Sequence, residues 1–206
     1  MTVLRIHEIW NGRCPLLGPS LYVWVQGCPR RCPGCFNQEA LAEDGPARES
    51  LPEEVAASWQ PGDGLVFSGG EPFSQARGLV EVCALVRSVA SDAPILVYTG
   101  YRLEELLAQE REDWLALLKQ IDVLVDGPYV QERQTNMPLV GSDNQRVYFL
   151  TSRVQPSQVL DHAAAQLQVS LTADHRLRLV GTGGPQGLNM HQLVEKIRAQ
   201  GLSLEE

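Results

Sequence analysis

Leu21-Tyr22-Val23-Trp24-Val25-Gln26-Gly27-Cys28-Pro29-Arg30-Arg31-Cys32-Pro33-Gly34-Cys35 passes directly from a strand into a loop of thiols. Its first five residues are β-branched, aromatic or aliphatic, the composition of a buried strand. Pro29, Pro33 and Gly34 then oppose a helix, because two missing N–H groups and a flexible glycine fall within two turns' length of chain. A strand that ends in a cysteine loop is the unit from which the rest of the chain is read.

The same grammar recurs along the sequence. Val3 to Ile9 reads as a first strand. Leu65 to Phe67 is a short buried strand ending at Ser68-Gly69-Gly70-Glu71-Pro72, Ile95 to Tyr98 stops at Thr99-Gly100, and Ile121 to Val125 ends at Asp126-Gly127-Pro128. Helical patterns lie between. Leu51 to Trp59 has Pro52 in its first turn and Glu53 and Glu54 where the dipole favours acids. Gln75 to Val89 places Leu79, Val82, Cys83 and Val86 on one face, and Leu103 to Lys119 carries one or two helices. Strands alternating with helices imply an α/β fold with a parallel sheet, whose ligands gather at the strands' carboxyl ends. The repeats are too few for a closed eightfold barrel, so the expected architecture is a partial, open β/α barrel.

Further on, Tyr129 to Gln145 reads as a long functional loop and Val147 to Leu150 as a strand. A helix over Pro156 to Ala165, strands over Leu167 to Leu171 and Arg176 to Val180, a turn at Gly181-Thr182-Gly183-Gly184-Pro185 and a helix from Leu188 to Ala199 are expected to follow. The 206 residues suffice for one domain, with a core over about 3–150 and an extension over 151–206. No apolar run is long enough to span a bilayer, and Met1 to Trp10 lacks the pattern of a secretory signal. A cytosolic location is expected.

The formal net charge of -8 argues against broad binding to a nucleic-acid backbone. Arg30, Arg31 and Arg133 are scattered and are expected to face water or a protein partner. The five cysteines, an odd number, do not suggest a disulfide framework. Cys28, Cys32 and Cys35 point to metal chemistry instead. Thiolates suit iron–sulfur clusters and zinc. A structural zinc ion asks for a fourth ligand, which Cys14 would have to supply, since no histidine has a suitable spacing. A cubane accepts three cysteines and keeps its fourth iron open. Cys83 falls on the apolar face of a helix and reads as core. Cys14, before Pro15, reads as an incidental loop cysteine.

Cys28-x-x-x-Cys32-x-x-Cys35, followed by Gly69-Gly70-Glu71-Pro72, resembles the paired motifs of the radical S-adenosylmethionine enzymes. The resemblance implies a [4Fe-4S] cluster on Cys28, Cys32 and Cys35, with the open iron chelated by the methionine moiety of S-adenosyl-L-methionine. Gly69, Gly70 and Glu71 would then hold the methionine ammonium. A glycine pair lets carbonyls approach such a group, although a plain turn after a strand has the same sequence. Gly34 departs from the aromatic residue that many of these enzymes carry before the third cysteine. A backbone contact from Gly34 or Phe36 to the adenine is the expected substitute, with core packing of Phe36 as the other reading. Thr99 with Gly100 would line the methionine or ribose pocket, and Asp126 would contact the cofactor, directly or through a cation. Each has the alternative of a turn residue only.

Trp24-Val25-Gln26-Gly27-Cys28 with Cys32-Pro33-Gly34-Cys35-Phe36-Asn37, Tyr98-Thr99-Gly100-Tyr101 with Leu103-Glu104-Glu105-Leu106, Ile121 to Tyr129, and Gly141-Ser142 with Asn144-Gln145-Arg146 resemble the activating proteins of anaerobic ribonucleotide reductases. This implies an enzyme that takes one electron from reduced flavodoxin or ferredoxin, cleaves S-adenosylmethionine to a 5′-deoxyadenosyl radical, and makes a glycyl radical on a reductase partner. The alternatives are a radical enzyme acting on a peptide or small molecule, and a zinc or iron–sulfur module without catalysis. The resemblance stops near Thr151.

Overall fold

The computed structural model describes residues 2–158, 168–171 and 177–180. Its first strands are β1 (Leu4–Cys14), β2 (Gly18–Val25) and β3 (Arg48–Ser50). Then come α1 (Pro52–Ala56), β4 (Gly64–Gly69), α2 (Ala76–Val89) and β5 (Ile95–Tyr98). The helices α3 (Leu103–Ala108) and α4 (Glu112–Leu118) precede β6 (Val123–Asp126) and β7 (Arg146–Phe149). Outside this body, β8 (Gln168–Leu171) and β9 (Leu177–Val180) pair antiparallel as a separate ribbon.

The seven strands form one sheet in the order β3-β1-β2-β4-β5-β6-β7. The pairs β2–β4, β4–β5 and β5–β6 are parallel. The flanking pairs, β1 with β2 and β3 and β6 with β7, are antiparallel. The chain is therefore α/β with an open mixed sheet, parallel at its centre.

Period-two alternation splits the apolar side chains between two faces. Leu65 and Phe67 of β4, Ile95 and Val97 of β5 and Leu124 of β6 pack on one face. There they meet Val55, Leu79, Val82, Cys83, Val86, Leu106, Trp114 and Leu117, so all four described helices lie on that side. Val66, Leu96, Val123 and Val125 point the other way, against Cys14, Leu16, Leu139, Val140 and Val154 from a strand end and loops. Cys83 is core, as its helical spacing indicates.

Several elements differ from the sequence reading. The first strand continues past Ile9 to Cys14, because the chain folds back as a hairpin and β2 satisfies its backbone, with Cys14 opposite Gly18. Cys14 is therefore a buried strand residue. The helix expected over Leu51 to Trp59 closes after Ala56. Glu54 caps it by accepting from the Leu51 N–H at 3.1 Å. Arg48–Ser50 is a strand through its pairing with β1, a long-range contact with no local signal. At Pro156 only a single 3₁₀ turn, Pro156–Gln158, is described, and the rest of the expected helix lies outside the described residues. So do the Gly181–Pro185 turn and the last helix.

Parallel pairing sets the carboxyl ends of β2, β4, β5 and β6 along one edge. Gln26, Gly70, Thr99 and Gly127 each follow such an end. Gly69, Gly70, Glu71, Thr99 and Asp126 are on this edge, and Cys28, Cys32, Gly34, Cys35 and Phe36 are in the cysteine loop beside it.

Candidate iron–sulfur and cofactor site

The cysteine loop leaves β2 at Gly27 and returns to it. Gly27 N–H donates to Ala40 C=O at 2.8 Å and Cys28 N–H donates to Leu41 C=O at 3.0 Å, which closes the neck of the loop. Inside, Cys35 N–H donates to Cys32 C=O at 3.1 Å, and the Gln38 side chain donates to Cys35 C=O at 2.8 Å. All three cysteines are free thiols; Cys28 is buried, while Cys32 and Cys35 are half-buried.

Burial pushes the Cys28 thiol up, whereas N–H groups of Arg31 and Arg30 directed at its sulfur pull it down; Glu71 and Cys32 add to the rise. Burial likewise raises Cys35, against an N–H from Asn37, and Cys32 raises it further. The thiols are thus near enough to feel one another, and backbone dipoles are already aimed at two of them. That is the donor set a cluster needs: soft sulfurs, steered by N–H groups, giving up protons when metal binds. Among the described residues, no three histidine, cysteine, aspartate or glutamate side chains are grouped to hold a metal ion. A cubane makes a different demand, because each thiolate takes its own iron and the sulfurs stand apart. The residues fit a cluster better than a single zinc ion, and Cys14, in the sheet's far core, is no fourth ligand.

The Gly69-Gly70-Glu71 segment is folded against this loop. Gly70 N–H donates to Val25 C=O at 2.7 Å and Glu71 N–H to Gly27 C=O at 2.9 Å. A Cβ at Gly70 would stand 2.2 Å from Gly27 O and 2.9 Å from Ala40 O. Only glycine allows this approach of two main chains, which is what the glycine pair does here. Asn37 Nδ2 also reaches Gly69 O, at 3.4 Å.

The Glu71 carboxylate turns into the protein, 1 % exposed. Oε1 accepts from Phe73 N–H at 3.0 Å and from the Thr99 hydroxyl at 2.8 Å, and Oε2 accepts from Gly100 N–H at 2.9 Å. Burial pushes Glu71 up to about 7 against these donors and the Arg30 charge. The Thr99 oxygen in turn accepts from Tyr101 N–H at 3.1 Å. Asp126 is similarly engaged. Its Oδ2 accepts from Leu103 N–H at 2.7 Å and from Arg146 Nη2 at 2.6 Å, and Oδ1 accepts from Arg146 Nε at 3.0 Å. Glu71, Thr99 and Asp126 therefore join the strand ends to one another, with their side-chain oxygens already partnered.

Gly34 has φ +66°, and the Gln131 side chain lies where its Cβ would be. Phe36 is 48 % exposed, so its core-packing reading is corrected: it faces outward from the loop. Arg30 also departs from expectation. Its guanidinium lies 4.9 Å over the Tyr101 ring instead of simply facing water.

Sequence reasoning missed the row that runs across the sheet on the face away from the helices. Trp24 of β2 is in register with Ser68 of β4, and Tyr98 of β5 with Val125 of β6. Trp24, Ser68 and Tyr98 are half-buried at the carboxyl edge. Alternation with buried Val23, Phe67 and Val97 was the signal that could have found them. Tyr129, whose phenol is raised by burial and then by Cys35, was missed as an aromatic neighbour of the cysteine loop.

The sheet edge, the three-thiol loop and the tightly packed glycine segment define an iron–sulfur protein, and the chain belongs to the 4Fe-4S single cluster domain family, whose model matches residues 16–148. It is 33 % identical to the anaerobic ribonucleoside-triphosphate reductase-activating protein of Haemophilus influenzae, over 68 % of this chain and 92 % of that one. The proteins of that name from Salmonella typhi and Enterobacteria phage T4 are each 32 % identical, over 65 % and 66 % of this chain and 90 % and 88 % of theirs. Within the single-cluster class, the chain is a member of the anaerobic ribonucleoside-triphosphate reductase-activating protein family. No helix among the described residues is long and apolar enough to cross a membrane.

Proposed function

We propose that the protein is a radical S-adenosylmethionine activase that generates a glycyl radical on an anaerobic ribonucleotide reductase. The observation that carries this reading is the backbone seam between the two motifs: Glu71 N–H on Gly27 C=O and Gly70 N–H on Val25 C=O set the glycine segment beside the cysteine loop. Cys28, Cys32 and Cys35 would hold a [4Fe-4S] cluster. When bound, the cluster and S-adenosylmethionine supply reductive cleavage of a sulfonium bond and a 5′-deoxyadenosyl radical.

The chain's own residues do the positioning. Gly69 and Gly70 would present backbone to the methionine ammonium, and the Glu71 side chain, held by Thr99 and Gly100, keeps that turn fixed. Asp126 fixes the start of α3 and so the wall that carries Tyr101. Gly34 and Phe36 offer the adenine backbone contact. Phe36 and Tyr129 supply the aromatic surface that Gly34 lacks. The fold reading that goes with this function is a partial β/α barrel, supported by four central parallel strands with their helices on one face.

The electron would come from reduced flavodoxin or ferredoxin. The test is anaerobic reconstitution with iron and sulfide, reduction, and incubation with S-adenosylmethionine and a candidate reductase. The expected products are 5′-deoxyadenosine, methionine and the electron paramagnetic resonance doublet of a glycyl radical. Deoxyadenosine without that doublet, for every anaerobic reductase tried, would remove the activase assignment and leave the radical chemistry.

A further inference from the structure

We infer that Arg30 is a positioning residue that clamps the cysteine loop onto the turn after β5. It thereby fixes the gap between the two walls that face the cofactor. The inference rests on the reading above for what fills the gap, but the clamp itself is a property of the chain without it.

Three contacts from one side chain carry it. The guanidinium lies 4.9 Å over the Tyr101 ring. Its Nη1 is 3.4 Å from Glu105 Oε1 on α3. Its Cγ packs at Gly100, where a Cβ would come within 3.0 Å of it. The far side of this contact is rigid. Tyr101 packs on Trp114 with ring centres 4.9 Å apart, and Trp114 is in the core against Phe73 at 5.8 Å. Glu105 is itself fixed, because its Oε2 accepts from Arg102 N–H at 2.6 Å at the start of α3.

On the loop side, Arg30 sits between the ligand candidates Cys28 and Cys32. The main-chain bonds at Gly27 and Cys28 hold only the neck of the loop. Arg30 ties the Cys28–Cys32 arm of the loop to the β5 side. A planar guanidinium can lie on a ring and present an edge to a carboxylate at the same time; a lysine ammonium cannot do both.

The experiment compares wild type with Arg30→Gln and Arg30→Lys, in two arms. In the first, hydrogen exchange of the metal-free protein is followed by mass spectrometry. Both variants are expected to exchange the amides of Cys28, Arg30 to Cys32 and Gly34 to Phe36 about tenfold faster, with an unchanged thermal midpoint. In the second, the reconstituted proteins are titrated with S-adenosylmethionine. The half-saturating concentration is expected to rise about fivefold, the effect of losing one partly exposed cation–π contact, with the rate at saturation within about twofold.

Exchange equal to wild type in both variants would overturn the clamp. Full rescue by lysine would overturn it too, because charge alone would then suffice. If wild type takes up no cluster, the cofactor reading fails, and the metal-free arm still decides the role of Arg30.

Discussion

Glu71 Oε1 and Thr99 Oγ1 lie 2.8 Å apart in the buried space between the ends of β4 and β5. One carboxylate thus welds two neighbouring strand ends, and the consequences are measurable.

The first is a pH dependence. Burial leads the other influences and pushes Glu71 up to about 7. Between the ordinary carboxylate range and 7, the unfolded chain has released this proton and the folded chain has kept it. Stability from Glu71 is therefore greatest at low pH, falls as pH rises through that window, and levels off above it. Urea midpoints of the metal-free protein at pH 5, 6, 7 and 8 should show this fall relative to Glu71→Gln at the same pH values. A constant difference between the two proteins would refute it.

The cysteines give a second prediction. Cys28→Ala, Cys32→Ala and Cys35→Ala should each abolish iron–sulfur absorbance after anaerobic reconstitution and abolish cleavage of S-adenosylmethionine. Cys83→Ala, in the core on α2, should bind iron normally and lose about 1 kcal/mol of stability. Cys14→Ala should also keep its iron. Iron and sulfide analysis of the five variants decides the ligand set.

Gly70→Ala tests the seam between the two motifs. The added methyl would collide with the carbonyl oxygens of Gly27 and Ala40, which are main chain and cannot rotate away. A cost of about 2 kcal/mol or more is expected, together with poor cluster uptake, because relief requires moving the loop. Gly62→Ala meets no atom within 4 Å but sits at φ +94°, so it controls for backbone strain away from the seam. It should take up iron fully.

Asp126→Asn should loosen the start of α3. The carboxylate is fully buried and accepts from Arg146 and from Leu103 N–H; an amide must turn a donor toward one of them. The expected loss is about 2 kcal/mol, the range for a buried hydrogen bond to a charged group left imperfect. Faster exchange at the Leu103 amide would locate it.

Much of this site can be read in the sequence. The strand ends at Ser68, Tyr98 and Val125 are marked by glycine and proline that follow short apolar runs, and the thiol loop by its two prolines. The direction of the side chains at those ends cannot be read in the same way. Glu71 and Asp126 look like cofactor ligands because they are acidic residues beside glycine turns. Apart from Phe73, two residues beyond Glu71, their partners Thr99, Gly100, Leu103 and Arg146 lie at least twenty residues away and are set by sheet order. The hairpin that buries Cys14 and the pairing that makes Arg48–Ser50 a strand are likewise long-range. Trp24, Ser68 and Tyr98 were within reach through alternation, but only once each strand's buried face is known. Phe36 shows the opposite case, an apolar residue whose sequence context suits the core and whose loop carries it outside.

The closed neck of the cysteine loop has an engineering consequence. Residues 27 and 28 are tied to residues 40 and 41 by main-chain bonds, and beside them the Gln26 side chain donates to the carbonyls of Glu39 and Ala42. No side chain between them is needed to close the ring. A loop from a relative grafted at that junction would keep its neck, and would seat as this one does where it also carries Arg30, which reaches Tyr101 and Glu105, and Asn37, which reaches Gly69 O.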